Sequence, residues 1–318
     1  MIGTDTCQTS DMALPPIVAV VGPTAAGKTG LSLDLAEQLG GEVVNTDAMQ
    51  LYRGMDVGTA TLPPAERRGL PHHLLDLLDV TEPANVAAFQ VLARDTIAEV
   101  RARGAVPVLV GGSALYTRAV LDRFEFPGTE PAVRARWERR LDEVGAPALH
   151  AELAVLDPAA AVTIEPANGR RVVRALEVGE LTGRSYTATL PEMTYVDPAT
   201  VQVGLAIDRP VLDDRIARRV EQMYDAGLLD EVRRLLDQGL REGLTASRAI
   251  GYREAAAHLA GELTREEAVE RTVFATRRFA RRQMGWWRKD PRITWVEHDD
   301  PDRLAVALDA VAAATVGP

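Results

Sequence analysis

An eight-residue segment near the N-terminus has the residue types and spacing of a phosphate-binding loop. It reads Gly22-Pro23-Thr24-Ala25-Ala26-Gly27-Lys28-Thr29 and matches G-x-x-x-x-G-K-[ST] at every position. The glycines allow backbone angles that turn successive N–H groups toward phosphate oxygens. We expect Lys28 to reach the outer phosphate and Thr29 to place its hydroxyl on Mg²⁺. The motif predicts a bound phosphate and leaves open whether that phosphate belongs to a nucleotide.

A second candidate site follows the next predicted strand. Residues 42–45 run directly toward Asp47, and ligands of open α/β sheets bind at the carboxyl ends of strands. An acid there can bind Mg²⁺ or take a proton from an attacking group. The alternative is a turn aspartate that caps the following segment. Gln50 and Tyr52 favour a functional site, because a turn does not require such a cluster of polar groups.

The third predicted strand, residues 106–110, ends in two glycines and a hydroxyl. An ordinary ATPase would place a metal-binding aspartate at such a strand end, and its absence weakens that interpretation. We expect Gly111 and Gly112 to let a substrate approach the backbone closely. Ser113 offers a hydrogen bond beside them.

A basic segment near the C-terminus predicts contact with nucleic acid. Residues 271–289 hold seven basic side chains and no acid. At 100° per residue, four of these cations fall on one face of a helix: Arg271, Arg278, Arg282 and Lys289. The aromatic rings of Phe279 and Trp286 flank this face. Small or apolar residues lie on the opposite face: Val273, Ala280 and Trp287. A solvated helix face is the alternative, but such faces normally mix signs. Arginine beside aromatic rings suits phosphate contact and base stacking.

Composition limits the class of protein. The chain has 318 residues, 46% hydrophobic and 26% charged, so we expect one large or two modest globular domains. The single cysteine, Cys7, forms no internal disulfide, and no apolar run approaches a membrane span of roughly 20 residues; both favour a cytoplasmic location. The net charge of −10 argues against general nucleic-acid affinity. Of 36 basic residues only Lys28 and Lys289 are lysine.

The order of elements predicts a P-loop NTPase-like α/β fold with a helical insertion. Strands at 17–21, 42–45 and 106–110 alternate with helices at 29–39 and 89–103, which indicates a parallel sheet covered on both faces. Repeated prolines then break helical stretches up to residue 200. Further elements are expected at 201–207 and 293–296 (strands) and at 211–238, 247–260, 265–289 and 302–314 (helices). We predict a core of residues 15–121 and 201–318, an insertion of residues 122–200, and a disordered tail of residues 1–14.

Seven segments, taken together, resemble the tRNA dimethylallyltransferase (tRNA isopentenyltransferase) family. They come in the family's order across residues 17–296: GPTAAGKT, NTDAMQLYRGMDVGTA, PHHLLD, PVLVGGSALY, NGRRVVRALE, SRAIGYRE and ATRRFARRQMGWWRK. Several motifs in order are far more specific than a phosphate loop alone. The family more often has Ser at the position of Ala48 and Thr at that of Ser113, and both changes are mild.

The resemblance implies a reaction. Enzymes of this family move a dimethylallyl group from its diphosphate to the N6 amine of an adenosine next to the anticodon of tRNA. Residues 22–29 would then hold the diphosphate rather than ATP, with Lys28 and a Mg²⁺ on Thr29 neutralising the leaving group. Asp47 would accept the proton as nitrogen attacks carbon. Ser113 and Arg215 would help to hold the diphosphate. Arg219 lies one helical turn from Arg215 and is the alternative to it in this role.

The resemblance also implies how the RNA is held. The target base must leave its stack to enter the site, and Gln50 would contact it or its neighbours. The insertion would contact the tRNA anticodon stem-loop. Apart from the resemblance, we expect the chain to be a monomer without membrane contact. The implied tRNA contacts are Asp47, Ala48, Met49, Gln50, Ser113, Arg134, Arg170, Arg171, Arg174, Arg248, Arg253, Arg278 and Arg282. Acids lie among residues 134–140, so a salt-bridged helix stays an alternative there. His72 and His73 lack a third spaced ligand and are expected to be structural.

Three other functions share part of this pattern. A small-molecule phosphotransferase would explain the phosphate loop and the acid but not the acid-free basic helix. An isopentenyltransferase for free adenine nucleotides would keep the chemistry and not need that helix. An RNA-binding protein gated by a nucleotide would keep its function when Asp47 is replaced by Asn.

Overall fold

A single parallel sheet forms the centre of the computed structural model, which describes residues 14–186 and 192–315. All but the last residue of the predicted tail 1–14 lies outside these ranges. Within them six strands pair in the order β3-β2-β4-β1-β5-β6, and every pairing is parallel. The strands are β1 (Ile17–Val21), β2 (Gly41–Asn45), β3 (His72–His73), β4 (Val106–Val110), β5 (Thr200–Ala206) and β6 (Ile293–Glu297).

Helices connect the strands, as a parallel sheet requires. In chain order they are α1 (Lys28–Leu39), α2 (Val86–Ala102), α3 (Ala114–Leu121), α4 (Pro131–Val144), α5 (Ala146–Leu156), α6 (Pro158–Thr163), α7 (Gly169–Thr182), α8 (Arg209–Asp225), α9 (Leu228–Asp237), α10 (Tyr252–Leu259), α11 (Arg265–Trp287) and α12 (Arg303–Thr315). The predicted α/β class is confirmed. The single helix expected over 211–238 is wrong, because Gly227 adopts φ 98° and separates α8 from α9.

The central strand shows why both sheet faces are covered. Every residue of β1 is buried, and the side chains alternate between two apolar clusters. Val18 and Val20 pack with residues of α1, α8 and α12, whereas Ala19 and Val21 pack with α2, α3 and Trp287 of α11. A strand buried on both faces reads as a continuous apolar run, which is why the sequence located it.

The edge strand β3 was not predicted. It contains only His72 and His73, whose backbone pairs with Val43 and Val44 of β2. The ring of His73 lies 2.6 Å from Glu42 Oε2, and His72 Nδ1 lies 2.9 Å from the Leu70 carbonyl oxygen. Burial lowers the pKa of His72, which keeps its ring neutral near pH 7. Both rings therefore have contacts within the protein at the edge of the sheet.

The helical insertion forms a separate compact unit of residues Arg123–Thr194. Its described residues pack α4, α5, α6 and α7 around a small apolar cluster that includes Leu149, Leu153 and Val172. The predicted bounds of 122–200 differ at the C-terminal side. Tyr195 already forms a bridge with Asp122, and the carbonyl oxygen of Ala199 accepts a hydrogen bond from Ile17 N–H, so these residues belong to the core unit.

Candidate active site

The phosphate loop joins β1 to α1 and has the backbone geometry that anion binding needs. Gly22, Ala25 and Gly27 have φ values of 137°, 62° and 104°, a region that favours glycine. The helix begins at Lys28, so the free N–H groups of its first turn and its positive end face the loop. Lys28 Nζ donates to the Pro23 carbonyl oxygen at 2.8 Å, which folds its ammonium back over the loop.

Asp47 follows β2 and is held there by Asn45. The buried amide of Asn45 accepts from Asp47 N–H at 2.8 Å and donates to the Leu74 carbonyl oxygen at 2.9 Å. Asp47 Oδ1 in turn accepts from Met49 N–H at 2.9 Å and caps a short 3₁₀ helix, Ala48–Leu51. The carboxylate also lines the cavity beside the phosphate loop. The turn-cap interpretation of Asp47 is therefore confirmed, and its position in the cavity leaves its role as a site acid a prediction.

A cavity of about 460 Å³ lies between the phosphate loop, the carboxyl ends of β2 and β4, and α8. Its size falls in the usual range for a small-molecule site. Among its described lining residues one is acidic, Asp47, and four carry positive charge: Lys28, Arg215, Arg218 and Arg219. This excess of cations fits a multiply charged anion. Arg215 and Arg219 both line the cavity, so either or both could contact a diphosphate bound there.

The charges in this cavity influence one another. Burial lowers the pKa of Lys28 to about 8, with Asp47 opposing the shift and Arg219 adding to it. Burial likewise lowers the pKa of Arg219, again against the attraction of Asp47 and with repulsion from Arg215. Three cations crowded around one carboxylate are under-neutralised, and a bound anion would relieve their repulsion.

The donor set in the cavity fits Mg²⁺ held mainly by a substrate. Thr29 and Asp47 supply hard oxygen atoms, and Mg²⁺ typically uses one or two such side chains together with phosphate oxygens and water. Within the described ranges no group of three or more His, Cys, Asp or Glu residues is arranged to hold a metal ion. A dedicated protein cage for a metal is therefore not part of the described structure.

The two glycines after β4 leave room for other parts of the protein: Gly111 for the backbone and hydroxyl of Thr46, and Gly112 for the side chain of Gln283. A Cβ at Gly111 would lie 2.2 Å from Thr46 Oγ1, and one at Gly112 would lie 2.2 Å from Gln283 Nε2. The predicted reason, close approach of a substrate, was therefore incomplete, although both glycines line the cavity. Ser113 caps α3 by accepting from Tyr116 N–H and does not line the cavity. Its catalytic role stays a prediction.

A buried glutamate that sequence reasoning missed holds the loop beside Gln50. Glu231 of α9 is 2% exposed and accepts hydrogen bonds from three successive backbone N–H groups, those of residues 56–58, and from Tyr252 Oη. The next residue, Thr59, accepts from Gln50 Nε2 at 3.3 Å, and both line the cavity. The signal in the sequence was an acid at an apolar position of a helix, which only a partner elsewhere in the chain can explain.

Helix α11 presents the basic surface that its sequence predicts. Ala280 and Trp287 are buried, and Val273 packs partly buried against the core, as expected. The opposite face and the two residues that follow the helix expose Arg271, Arg278, Arg281, Arg282, Arg288 and Lys289, and none of these forms an ion pair with another described residue. Phe274 and Trp286 are exposed among them, at 64% and 47%. Arg282 lies over the Phe279 ring and Lys289 over the Trp286 ring.

Comparison with known proteins decides the family. The IPP transferase family model matches residues 50–290, which is three quarters of the chain. The chain belongs to the IPP transferase family. The sequence-based assignment is confirmed, and with it the prediction that this IPP transferase family member is an enzyme that transfers a prenyl group.

Curated relatives match this IPP transferase over nearly its whole length. A tRNA dimethylallyltransferase of Nocardioides sp. is 66% identical over 95% of this chain and 97% of its own. One from Streptomyces coelicolor is 59% identical over 91% of this chain and 92% of its own. Since both chains are covered almost completely, the similarity includes the insertion as well as the core.

Solved structures show the same fold. A tRNA isopentenylpyrophosphate transferase from Bacillus halodurans is 40% identical with a TM-score of 0.69, covering 95% of this chain and 98% of that chain. A eukaryotic dimethylallyltransferase, studied in crystallographic snapshots while acting on tRNA, is 26% identical with a TM-score of 0.76 over 90% of this chain and 74% of that chain.

The predicted RNA-contacting arginines outside α11 have varied surroundings in this IPP transferase. Arg134 and Arg174 both pair with the buried Glu177 of the insertion, so a salt-bridged cluster, the alternative kept open for this region, is present. Arg170 and Arg171 are exposed in the first turn of α7. Two more predicted contacts lie in the core unit and are exposed: Arg248, and Arg253, which pairs with Glu254.

No helix in the described part of the chain is long and apolar enough to cross a membrane.

Proposed function

We propose that this enzyme transfers a dimethylallyl group from dimethylallyl diphosphate to the N6 amine of the adenosine on the 3′ side of the anticodon in tRNA. The observation that carries the proposal is the cavity at the carboxyl ends of β2 and β4, whose lining holds one carboxylate, Asp47, and four cations from α1 and α8. A diphosphate matches the cations, and a proton leaving an attacking amine matches the carboxylate. Curated relatives that act on tRNA support the choice of acceptor.

Each group in the cavity has a role in this reaction. The bond between C1 of the dimethylallyl group and the diphosphate oxygen breaks, and its electron pair leaves with the diphosphate. Lys28, Arg215 and Arg219 stabilise the negative charge that develops there, together with the backbone N–H groups of the phosphate loop that have no partner within the protein. The N6 nitrogen bonds to C1, and its proton passes to the free oxygen of Asp47. Thr29 and the diphosphate would hold a Mg²⁺ ion, which would further neutralise the leaving group.

The acceptor side rests on α11 and on the loop after Asp47. The exposed cations of α11 are not neutralised by described acids, so they suit the phosphates of an RNA backbone. The target adenine must leave its stack to reach Asp47, and Gln50 is held beside it by Thr59. A local basic surface on a chain of net charge −10 favours one RNA partner over general nucleic-acid affinity. The proposal includes a monomeric enzyme in the cytoplasm.

A transfer assay tests this function. Purified protein is mixed with Mg²⁺, radiolabelled dimethylallyl diphosphate and an unmodified anticodon stem-loop RNA, with AMP and ATP as competing acceptors. We expect label on the RNA, and we expect Asp47→Asn to lower kcat by about 10²- to 10⁴-fold, the usual contribution of a general base. The amide of this variant still accepts from Met49 N–H, so the 3₁₀ cap and the local fold are kept.

The exposed Asp95, on α2, provides the matched control. Asp95→Asn removes the same charge and should transfer at the wild-type rate. Label on AMP alone would contradict the RNA acceptor and leave the chemistry standing. Full activity of Asp47→Asn would contradict the assignment of the base, and transfer of phosphate from ATP in place of the prenyl group would overturn the proposed reaction.

A further inference from the structure

We propose that Gln283 of α11 is a positioning residue that sets the shape of the phosphate loop. The proposal rests on the proposed function and deepens it, because it assigns a residue outside the loop to recognition of the diphosphate. Gln283 is 5% exposed and reaches two segments that are distant in sequence. Its Oε1 accepts from Thr24 N–H at 2.9 Å, and its Nε2 donates to the Gly112 carbonyl oxygen at 2.9 Å.

The chemistry of these two contacts selects an amide. Thr24 offers a donor and Gly112 an acceptor, so one side chain must both accept and donate in a buried site. A glutamate would set a carboxylate oxygen against the Gly112 carbonyl oxygen, and a leucine would leave both backbone groups without a partner. A Cβ at Gly112 would lie 2.2 Å from Gln283 Nε2, so a side chain there would displace the amide of Gln283. The contact is therefore closely packed from both sides.

Gln283 lies close to Lys28 of the phosphate loop. The same Cβ position at Gly112 lies 3.7 Å from Lys28 Nζ, so the amide and the ammonium are close neighbours across this glycine. Lys28 in turn donates to the carbonyl oxygen of Pro23, the residue before Thr24. Gln283 and Lys28 thus bind neighbouring residues at the start of the loop. Loss of the hydrogen bond between Gln283 and Thr24 would change the direction of the loop N–H groups and of the Lys28 side chain.

The same helical turn carries the RNA-facing surface. Arg282 precedes Gln283 and is exposed, and Trp286 lies one turn farther on the exposed side. Helix α11 therefore places RNA-contacting side chains outside and a diphosphate-positioning side chain inside. This arrangement allows the two functions to be separated by substitution of adjacent residues.

Three variants test the assignment: Gln283→Leu, Gln283→Glu and Arg282→Gln. The first removes both hydrogen bonds at similar volume, and the third is the matched control on the outward side of the same turn. The affinity for inorganic pyrophosphate with Mg²⁺ is measured by calorimetry, the affinity for stem-loop RNA by filter binding, and kcat and KM by prenyl transfer. Circular dichroism and thermal unfolding check that each variant is folded.

We expect Gln283→Leu to weaken pyrophosphate binding and raise the KM for dimethylallyl diphosphate about tenfold, with RNA affinity unchanged. Gln283→Glu should weaken pyrophosphate binding further, since it loses the hydrogen bond to the Gly112 carbonyl oxygen and adds repulsion between that oxygen and a carboxylate. Arg282→Gln should weaken RNA binding and leave pyrophosphate binding unchanged. If Gln283→Leu does not fold, Gln283→Met replaces it, because its flexible chain adapts to the same space.

A fall in thermal stability of the Gln283 variants with wild-type pyrophosphate affinity would overturn the proposal and leave Gln283 a residue of the core. Equal loss of RNA and pyrophosphate binding in both Gln283→Leu and Arg282→Gln would overturn it too. Pyrophosphate binding does not depend on prenyl transfer. Absence of transfer by the wild-type protein would therefore count against the proposed function alone, while the calorimetric comparison still decides the role of Gln283.

Discussion

The arginines of α11 and those of the insertion look alike in sequence but differ in their partners. In the insertion four arginines form ion pairs with glutamates of the same unit: Arg134, Arg136, Arg140 and Arg174. On α11 and the two residues that follow it, six exposed cations between residues 271 and 289 have no such partner among the described residues. Part of the difference arises from acids within helical reach, since Arg134 and Arg174 pair with Glu138 and Glu177 of their own helices. Arg136 and Arg140 instead pair with Glu180 of α7 and Glu152 of α5, and residues 271–289 contain no acid.

This difference separates two uses of arginine. Paired cations fix the positions of helices and need no further ligand, whereas neighbouring unpaired cations repel one another until an anion neutralises them. The insertion cluster is therefore expected to contribute to folding and the α11 surface to RNA binding. Three substitution experiments, in order of decreasing effect, test whether this division holds.

Loss of the acid at the centre of the insertion cluster should have the largest effect. The carboxylate of Glu177 is fully buried and accepts from Thr129 Oγ1 and Arg174 Nη1 at 2.5 and 2.7 Å, with Arg134 at 3.5 Å. Burial raises its pKa, but these contacts outweigh burial and lower it overall, so the stabilisation exists above the normal glutamate range and is lost as pH falls. Glu177→Ala should reduce the free energy of unfolding by about 3–5 kcal/mol in urea titrations.

The exposed Glu180 serves as the control for that prediction. It pairs with Arg136 at the surface, and Glu180→Gln should change the free energy of unfolding by less than about 0.5 kcal/mol. A stable Glu177→Ala variant that has lost RNA affinity would show that the insertion cluster is a binding site and would break the comparison.

Removing two unpaired cations from α11 should have the next largest effect. Arg278→Gln combined with Arg282→Gln should weaken stem-loop RNA binding about 100-fold if each arginine contacts a phosphate. The slope of log affinity against log salt concentration should become less steep by about 1.4, since two phosphate contacts are lost. Filter binding between low and high salt measures both quantities. An unchanged salt dependence would contradict the assignment, and the unfolding free energy should stay near that of the wild type.

The smallest effect concerns the cations of the cavity. Burial lowers the pKa of Lys28 to about 8, so the free enzyme loses this charge as pH rises through that value. The kcat/KM for dimethylallyl diphosphate should therefore fall about tenfold from pH 7 to pH 9 at saturating RNA. Lys28→Arg keeps its charge over this range and should abolish the decline. A decline that persists in Lys28→Arg would assign it to another group.

The sequence predicted most of the fold because its signals are local. Short apolar runs that end in glycine marked β1 and β4, and the acid-free stretch 271–289 marked the exposed face of α11. The edge strand β3 has only two residues, too few for a periodic pattern, and its existence depends on pairing with β2. Ser113 illustrates a different difficulty, because a hydroxyl at a strand end fits a site and a helix cap equally well in sequence.

The sequence alone predicted the groups on which the proposed chemistry of this enzyme rests: a loop for phosphate, an acid at a strand end, and a basic surface for RNA. Only the tertiary structure decided what holds these groups in place. Asn45 binds a backbone group 29 residues away, and Glu231 binds three that are 173–175 residues away. Gln283 binds two, at separations of 171 and 259 residues. A buried polar side chain must find its partner wherever the fold brings one, and no local pattern in the sequence encodes a contact over that distance.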